Sequence, residues 1–143
     1  MSDYTLSNAR FLSHGGIATT TTLAVEHGHV VRVGGPAGRH AWDVGGLIAL
    51  PGIVDLHGDA FERQLMPRPG VHFDTRLALL DTDRQLVANG ITTAFHAVTY
   101  SWEPGLRSRS AGRNFLDALE LMRPSLACDT RLHLRWETFN LDA

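Results

Sequence analysis

Hydrophobic and polar positions follow different patterns on the two sides of residue 50. Before it, β-rich runs over residues 4–12, 20–26 and 29–33 alternate with glycine-containing turns. The pair His27-Gly28 joins the second run to the third, and a short loop of this kind indicates a β-hairpin. Short strands separated by such turns predict a small β-sandwich over residues 1–50.

After residue 50 the chain alternates between strand and helix patterns. Strands are predicted at 50–59, 91–99 and 131–139, the second of which is rich in β-branched and aromatic residues. Strands that alternate with helices predict parallel βαβ units with right-handed connections, and therefore an α/β fold. His96 lies in the middle of the second strand, where a hydrogen-bonded core histidine is more typical than a metal ligand.

Two helices are predicted between these strands. The first begins after Asp74, which can cap it, and ends at Asn89-Gly90. The second covers residues 110–122 and ends before Pro124. Each helix has apolar side chains that recur on one face, which predicts that it packs on the sheet. These side chains are Leu79, Leu80, Leu86 and Val87 in the first helix, and Phe115, Leu119 and Met122 in the second.

The first strand after residue 50 ends in His57 and Asp59, two residues apart. Because side chains alternate across a strand, both are expected on one face, together with Asp55. An imidazole and a carboxylate at the carboxyl end of a strand form half of a divalent-metal site. A Pro-Gly pair begins this run, and Gly58 would let a ligand approach the backbone. The alternative is a buried strand with one hydrogen-bonded histidine and an aspartate that caps a helix.

The third predicted strand carries His133, Arg135 and Glu137 on one face. In a barrel wall this face points inward, where an unpaired charge is costly. Active sites of parallel α/β barrels lie at the carboxyl ends of the strands, which places Asp59, Tyr100 and Glu137 near one rim. Glu137 could instead be an exposed residue at the end of its strand.

All thirteen basic residues are arginine. Guanidinium groups bind phosphate oxygens bidentately. Arg63 and Arg68 follow the first strand, and Arg107 and Arg109 close the loop after the second, so both pairs are expected at the same rim. Each alone is more typical of a solvated surface, but their grouping predicts that Arg63, Arg68 and Arg107 bind substrate.

Composition narrows the possible classes of protein. The chain is 43% hydrophobic and 20% charged with a formal net charge of −2, which gives no indication of nucleic-acid binding. No apolar run approaches the roughly 18 residues of a membrane span, and the first residues lack the pattern of a secretory signal. The single Cys128 cannot form an internal disulfide, so a cytoplasmic location is expected.

The first strand resembles a signature of the amidohydrolase superfamily, Pro-Gly-x-x-Asp-x-His-x-His, with Asp59 in place of the last histidine. That departure, together with Pro-Arg-Pro-Gly-Val at 67–71, resembles the alpha-D-ribose 1-methylphosphonate 5-triphosphate diphosphatases of phosphonate metabolism. This branch has Glu-Arg-His where the chain has Glu62, Arg63 and Gln64. The resemblance continues over 89–93 and, more weakly, over 132–137.

The resemblance implies the N-terminal part of a metal-dependent hydrolase: a (β/α)8 TIM barrel preceded by a small β-sandwich. Residues 1–50 would contribute to the sandwich and residues 51–143 would form the first three β/α units. A complete barrel takes about 250 residues, so the 143 residues are expected to be an amino-terminal fragment that is inactive alone. A short independent domain is the alternative.

The activity implied is cleavage of the triphosphate of alpha-D-ribose 1-methylphosphonate 5-triphosphate to the 5-phosphate and diphosphate. One or two divalent ions, with zinc expected, would be bound by His57, Asp59 and Glu137, and Asp59 and Glu137 would be catalytic. Glu137 would bridge two metals in place of a carboxylated lysine, since the chain has no lysine.

The expected partner is a phosphorylated small molecule, with no nucleic acid and no membrane, and a homo-oligomer is expected at full length. Two alternatives stay open. One is an amidohydrolase that acts on a C–N bond, such as a cyclic amidase or deaminase. The other is a non-catalytic remnant or interaction domain.

Overall fold

The computed structural model describes residues 3–12, 15–16 and 19–141, with Thr19 described by its backbone alone. The chain divides into two compact units, Met1–Pro51 and Gly52–Ala143. No helix in the described ranges is long and apolar enough to cross a membrane.

The first unit is a single β-sheet. Its strands are β1 (Tyr4–Phe11), β2 (Thr19–Glu26), β3 (His29–Val33), β4 (Ala41–Asp43) and β5 (Ile48–Ala49). The order is β3-β2-β1-β4, and β5 also pairs with β1. The contacts of β2 with its two neighbours are antiparallel, whereas β4 and β5 run parallel to β1.

The predicted hairpin is confirmed and has a local cause. His27 and Gly28 both have positive φ, at 51° and 82°. Two successive residues with positive φ form the tight turn whose twist matches that of paired strands. Glu26 pairs with His29 across this turn.

The predicted sandwich is present only as one layer in the described part of the first unit. The buried side chains of this sheet come from β1 and β2: Thr5, Ala9, Leu23, Ala24 and Val25. In contrast, Val30, Val31 and Val33 of β3 and Trp42 of β4 are exposed. A second sheet that would cover these side chains is not found among the described residues.

The second unit alternates strands and helices. Its elements are β6 (Ile53–Gly58), α1 (Phe61–Leu65), α2 (Thr75–Ala88), β7 (Ile91–Tyr100), α3 (Arg109–Met122) and β8 (Asp129–Trp136). The sheet order is β6-β7-β8 and both pairings are parallel. The described part of this unit therefore contains three parallel strands, with α1 and α2 between β6 and β7 and α3 between β7 and β8. Of the third predicted β/α unit, the described residues contain the strand, β8. The three strands of this sheet do not close into a barrel among the described residues.

Helices α2 and α3 pack on one face of this sheet. The main core cluster joins Leu79 of α2 and Phe115 and Leu119 of α3 to Val98 of β7, and Phe61 of the short helix α1 closes one side. The alternation of β7 places Ala94, His96 and Val98 on this helix-covered face. Phe95, Ala97 and Thr99 therefore belong to the opposite face, which we call the open face.

The prediction for the apolar stripe of α2 was partly wrong. Leu79 and Leu86 are buried, but Val87 is 43% exposed. Its place in the stripe is taken by Asp83, which is buried because its carboxylate accepts hydrogen bonds from the backbone N–H groups of Ala127 and Cys128. A hydrogen-bonded contact with residues distant in the sequence thus places an aspartate on the buried face of the helix, where the apolar pattern predicted a valine.

Both long helices begin at a capping side chain. Asp74 accepts a hydrogen bond from the N–H of Arg76 at 2.9 Å, and Ser108 accepts one from the N–H of Ala111 at 3.1 Å. Such caps satisfy N–H groups that have no partner inside the helix.

Candidate functional site

Two histidine side chains meet on the open face of the second unit. His57, near the end of β6, and His133 of β8 have their Nδ1 atoms 3.3 Å apart. The rings meet edge to face, with centroids separated by 4.7 Å. Both residues are exposed. Strand β7 lies between them and carries Ala97 at the register position of His133, where a small side chain leaves room for the two rings.

The carboxyl end of β6 is irregular. The register between β6 and β7 shifts between Asp55 and Gly58. Within this segment the Asp55 carboxylate accepts a hydrogen bond of 3.0 Å from the backbone N–H of His57. A methyl group on Gly58 would lie 2.6 Å from Oδ2 of Asp55, so the Asp55 side chain would have to shift to accommodate it. The space beside Gly58, which was predicted to let a ligand approach the backbone, is thus occupied by the Asp55 carboxylate.

Asp59 lies one residue beyond the end of β6. Its carbonyl oxygen accepts a hydrogen bond of 3.0 Å from the N–H of Glu62 at the start of α1. Because β6 ends at Gly58, strand alternation does not determine whether the Asp59 side chain lies on the face of His57.

Glu137 also lies just outside its strand. The prediction that the third strand continues to residue 139 was wrong, because β8 ends at Trp136. The Glu137 N–H donates to the carbonyl of Tyr100 at 3.4 Å, and the ring of Tyr100 stacks on Trp136 with centroids 5.4 Å apart. Tyr100 and Glu137 thus meet at the ends of two adjacent strands.

The three predicted ligands, His57, Asp59 and Glu137, are not gathered into one cluster. Among the described residues no group of three or more His, Cys, Asp or Glu side chains is arranged to hold a metal ion. The two imidazoles are of the chemical type that zinc binds, and both rings are exposed, but their Nδ1 atoms contact each other. Two histidines are also fewer ligands than the three or four protein side chains of a zinc site.

The predicted phosphate-binding arginines lie in separate places. Arg107 forms an ion pair of 3.6 Å with Glu62, and both line a cavity of about 430 Å³. Arg63 lines a different cavity, of about 300 Å³, together with Arg84. Arg68 begins a tight turn in which its carbonyl accepts from the N–H of Val71 at 3.1 Å. The structure does not bring the three together in one cavity.

His96 is a core residue, as predicted, but one of its two ring nitrogens has no hydrogen-bond partner among the described residues. The residue is 2% exposed, and the nitrogen without a partner is Nδ1. Phe61 and Phe115 pack against the ring, with centroids at 5.2 and 5.8 Å. Burial lowers the pKa of His96 to about 4, and the nearby negative charge of Asp55 opposes that shift. At neutral pH the ring is therefore uncharged.

His133 is predicted on the inward face, but its contact with His57 is not predicted from the sequence. Its partner, His57, is 76 residues away in the sequence, and the two strands are not adjacent in the sheet. The available signal was that His133 shares a predicted strand face with Arg135 and Glu137, the candidate ligand at the end of that strand.

Comparison with known proteins adds one curated relative and one solved structure. No model of a known protein family matches the chain. Alpha-D-ribose 1-methylphosphonate 5-triphosphate diphosphatase of Escherichia coli (strain K12) is 30% identical over 127 residues, covering 81% of this chain and 32% of that protein. The chain thus spans about a third of the length of this relative.

The solved structure supports the fold. A crystal structure of an uncharacterized protein superimposes with a TM-score of 0.57 at 14% sequence identity, covering 95% of this chain and 32% of the other. The mixed α/β arrangement described above therefore recurs, over nearly the whole chain, as one part of a longer protein.

Proposed function

We propose that this chain is part of a metal-dependent hydrolase that cleaves the triphosphate of alpha-D-ribose 1-methylphosphonate 5-triphosphate, releasing diphosphate. The observation that carries the proposal is the exposed His57–His133 pair at the carboxyl-end half of a parallel sheet, the end at which α/β barrels place their active sites. The similarity to the diphosphatase supports the substrate.

In the proposed mechanism the chain holds the ion through His57, with carboxylates from Asp59 and Glu137 as further candidate donors. A bound divalent ion would activate water and polarise a phosphoryl oxygen. Water forms a new P–O bond, the P–O–P linkage breaks, and diphosphate leaves. The carboxylates of Asp59 and Glu137 are suited to accept the proton that the attacking water gives up.

Arg63, Arg68 and Arg107 are proposed to bind the phosphate oxygens. Arg107 is held by Glu62 at 3.6 Å with its side chain 47% exposed. An exposed ion pair of this kind contributes little stability, so a phosphate group can compete for the guanidinium at small cost. The turn at Arg68 is constrained by the prolines on both sides, which reduces the entropy lost on binding.

A substrate panel tests the proposed reaction. The full-length protein, loaded with Zn²⁺, is assayed on the ribosyl triphosphate, on nucleoside triphosphates and on cyclic amides. The proposal predicts diphosphate release from the ribosyl triphosphate with the highest kcat/KM. Turnover of amides without phosphoanhydride cleavage would instead support hydrolysis of a C–N bond.

Single substitutions test the arginines. Arg107→Ala is expected to raise KM for the triphosphate at least tenfold, since a charge-assisted bidentate contact is lost. Arg113→Ala, in an exposed position on α3, serves as the matched control and should leave KM unchanged. Equal KM values in the two variants would remove Arg107 from the substrate site.

A further inference from the structure

One asparagine of the chain is followed by glycine. Asn89 precedes Gly90, whereas the other three asparagines precede residues that have a side chain, namely Ala9, Phe115 and Leu141. Because glycine has no Cβ, no side chain obstructs an attack by its backbone nitrogen on the preceding residue. Asn89 is the C-cap residue of α2 and is exposed to water. The pair therefore has the chemistry of a spontaneous deamidation site.

Deamidation at this pair needs only water as a co-reactant. The backbone nitrogen of Gly90 loses its proton and attacks Cγ of Asn89. A C–N bond forms, the bond between Cγ and Nδ2 breaks, and ammonia leaves with the proton, so that a five-membered imide remains. Water then adds to one of the two imide carbonyls and opens the ring, which gives aspartate or isoaspartate.

The backbone conformation of Asn89 keeps the reacting atoms apart. The imide ring closes only when the C–N bond to Gly90 is nearly eclipsed with the Cα–Cβ bond of Asn89. The ψ angle of Asn89 is 10°, so the C–N bond is instead nearly eclipsed with the N–Cα bond. The side chain thus leaves Cα in a different direction from the nitrogen that must attack it, and ring closure requires rotation about ψ.

Hydrogen bonds at the end of α2 oppose this rotation. The N–H of Gly90 donates to the carbonyl of Val87 at 3.0 Å, so the attacking nitrogen is held in place and its proton is engaged. Nδ2 of Asn89 donates to the carbonyl of Gln85 at 2.7 Å, which ties the side chain to the preceding helical turn. Both hydrogen bonds must break before Cγ and the nitrogen can meet.

We propose that Asn89 is a deamidation site that the fold keeps closed, and that the site opens when the last turn of α2 unwinds. Local opening of this kind costs less free energy than unfolding of a whole unit. Because water does not convert the products back to asparagine, the modification accumulates each time the open state reacts. The inference depends on neither the metal nor the substrate of the proposed function.

Conversion of Asn89 is expected to weaken the junction between α2 and the sheet. The carbonyl of Gly90 accepts a hydrogen bond of 2.9 Å from the N–H of Ile53, the first residue of β6. Isoaspartate would add one methylene group to the backbone directly before this contact. Either product would also place a negative charge at the C-terminal end of α2, where the helix dipole disfavours it.

Mass spectrometry measures the rate at this position. Trypsin cleaves after Arg84 and Arg107, and the resulting peptide, 85–107, contains Asn89 as its one asparagine. The full-length protein is incubated at mildly alkaline pH in buffer and in guanidinium chloride, and the aspartate and isoaspartate forms of the peptide are quantified. The proposal predicts a rate at least tenfold lower in the folded protein. Equal rates would show that the fold does not close the site, and would overturn the proposal.

Two matched substitutions test where the site opens. Ala88→Gly loosens the last residue of α2, and Ala111→Gly makes the same change in the first turn of a different helix, α3. The ratio of the unfolded to the folded rate removes any direct effect of a substitution on the chemistry. From the helix propensities of alanine and glycine, this ratio should fall about fivefold in Ala88→Gly and keep its wild-type value in Ala111→Gly.

The other outcomes reject local opening. An equal fall of the ratio in both variants would assign the reaction to unfolding of the whole unit. A wild-type ratio in Ala88→Gly would show that the last turn of α2 does not control the reaction.

Discussion

The carboxylate of Asp83 on α2 accepts a hydrogen bond of 2.8 Å from the backbone N–H of Cys128, directly before β8. The N–H of Ala127 also donates to this carboxylate, at 3.0 and 3.1 Å from its two oxygens. Asp83 is 5% exposed. A buried side chain of one helix therefore fixes the start of the strand that carries His133.

Loss of this carboxylate should destabilise the fold. Asp83→Ala leaves the two N–H groups without acceptors, and we expect a loss of about 3 kcal/mol in the free energy of unfolding. Asp81→Ala is the matched control, because Asp81 is exposed on the same helix and its carboxylate accepts a hydrogen bond from the side chain of Gln85. That change should cost at most about 0.5 kcal/mol. Similar urea midpoints for the two variants would contradict this role of Asp83.

Cys128 should be protected from thiol reagents in the folded protein. Burial raises the pKa of its thiol, and the negative charges of Asp83 and Asp129 add to the effect. Because the thiolate is the reactive form, alkylation by iodoacetamide at pH 7 is expected to be at least tenfold slower than in urea. Equal rates in the folded and unfolded protein would show that Cys128 is accessible.

Because His96 is uncharged in the folded protein, the protein is expected to lose stability in mild acid. Its pKa is about 4 in the folded protein against 6.5 for an ordinary histidine, so between these values the unfolded chain binds a proton that the folded chain does not. Stability should therefore fall as the pH drops from about 6.5 to 4, by up to about 3 kcal/mol from this residue.

The variant His96→Leu isolates this contribution. Leucine does not titrate, so the variant should not lose this contribution in acid. Between pH 7 and pH 4.5 the free energy of unfolding should therefore fall less for the variant than for the wild type. Chemical denaturation at the two values measures it. A difference that stays constant with pH would assign the acid sensitivity to other groups.

Gly58→Ala tests the packing at the end of β6. The added methyl group would lie 2.6 Å from Oδ2 of Asp55, so the carboxylate must move and weaken its hydrogen bond to the N–H of His57. We expect a cost of about 1–3 kcal/mol. In an Asp55→Ala background the same change should cost less than half as much, as a double-mutant cycle can show. An unchanged cost would mean that Asp55 is not the obstacle.

Local chemistry allowed much of the fold to be predicted from the sequence. The turn at His27-Gly28 and the cap at Asp74 depend on residues close together in the chain, and both were predicted correctly. Features set by distant contacts were missed. Strand β8 ends at Trp136 because its last register partner is Tyr100 of β7, and sequence pattern carries no information about that partner.

In the candidate site, too, local features could be predicted from the sequence and contacts between distant residues could not. The strands that carry His57 and His133 were predicted from the pattern, but the contact between these residues depends on β7 lying between the two strands with an alanine at the register position. Asp59 and Glu137 fall just past strand ends, where side-chain alternation stops being informative. The sequence signal for the buried Asp83 was its position four residues after Leu79 and three before Leu86, on the same face of the helix.

The most direct test measures metal content and diphosphate release on the same sample of full-length protein. After removal of metal by a chelator, release of diphosphate from alpha-D-ribose 1-methylphosphonate 5-triphosphate should stop, and Zn²⁺ should restore it. The folded His57→Ala variant should then show at least a hundredfold lower kcat/KM. Undiminished diphosphate release by the metal-free protein, or none by the metal-loaded protein, would contradict the proposed metal-dependent hydrolysis.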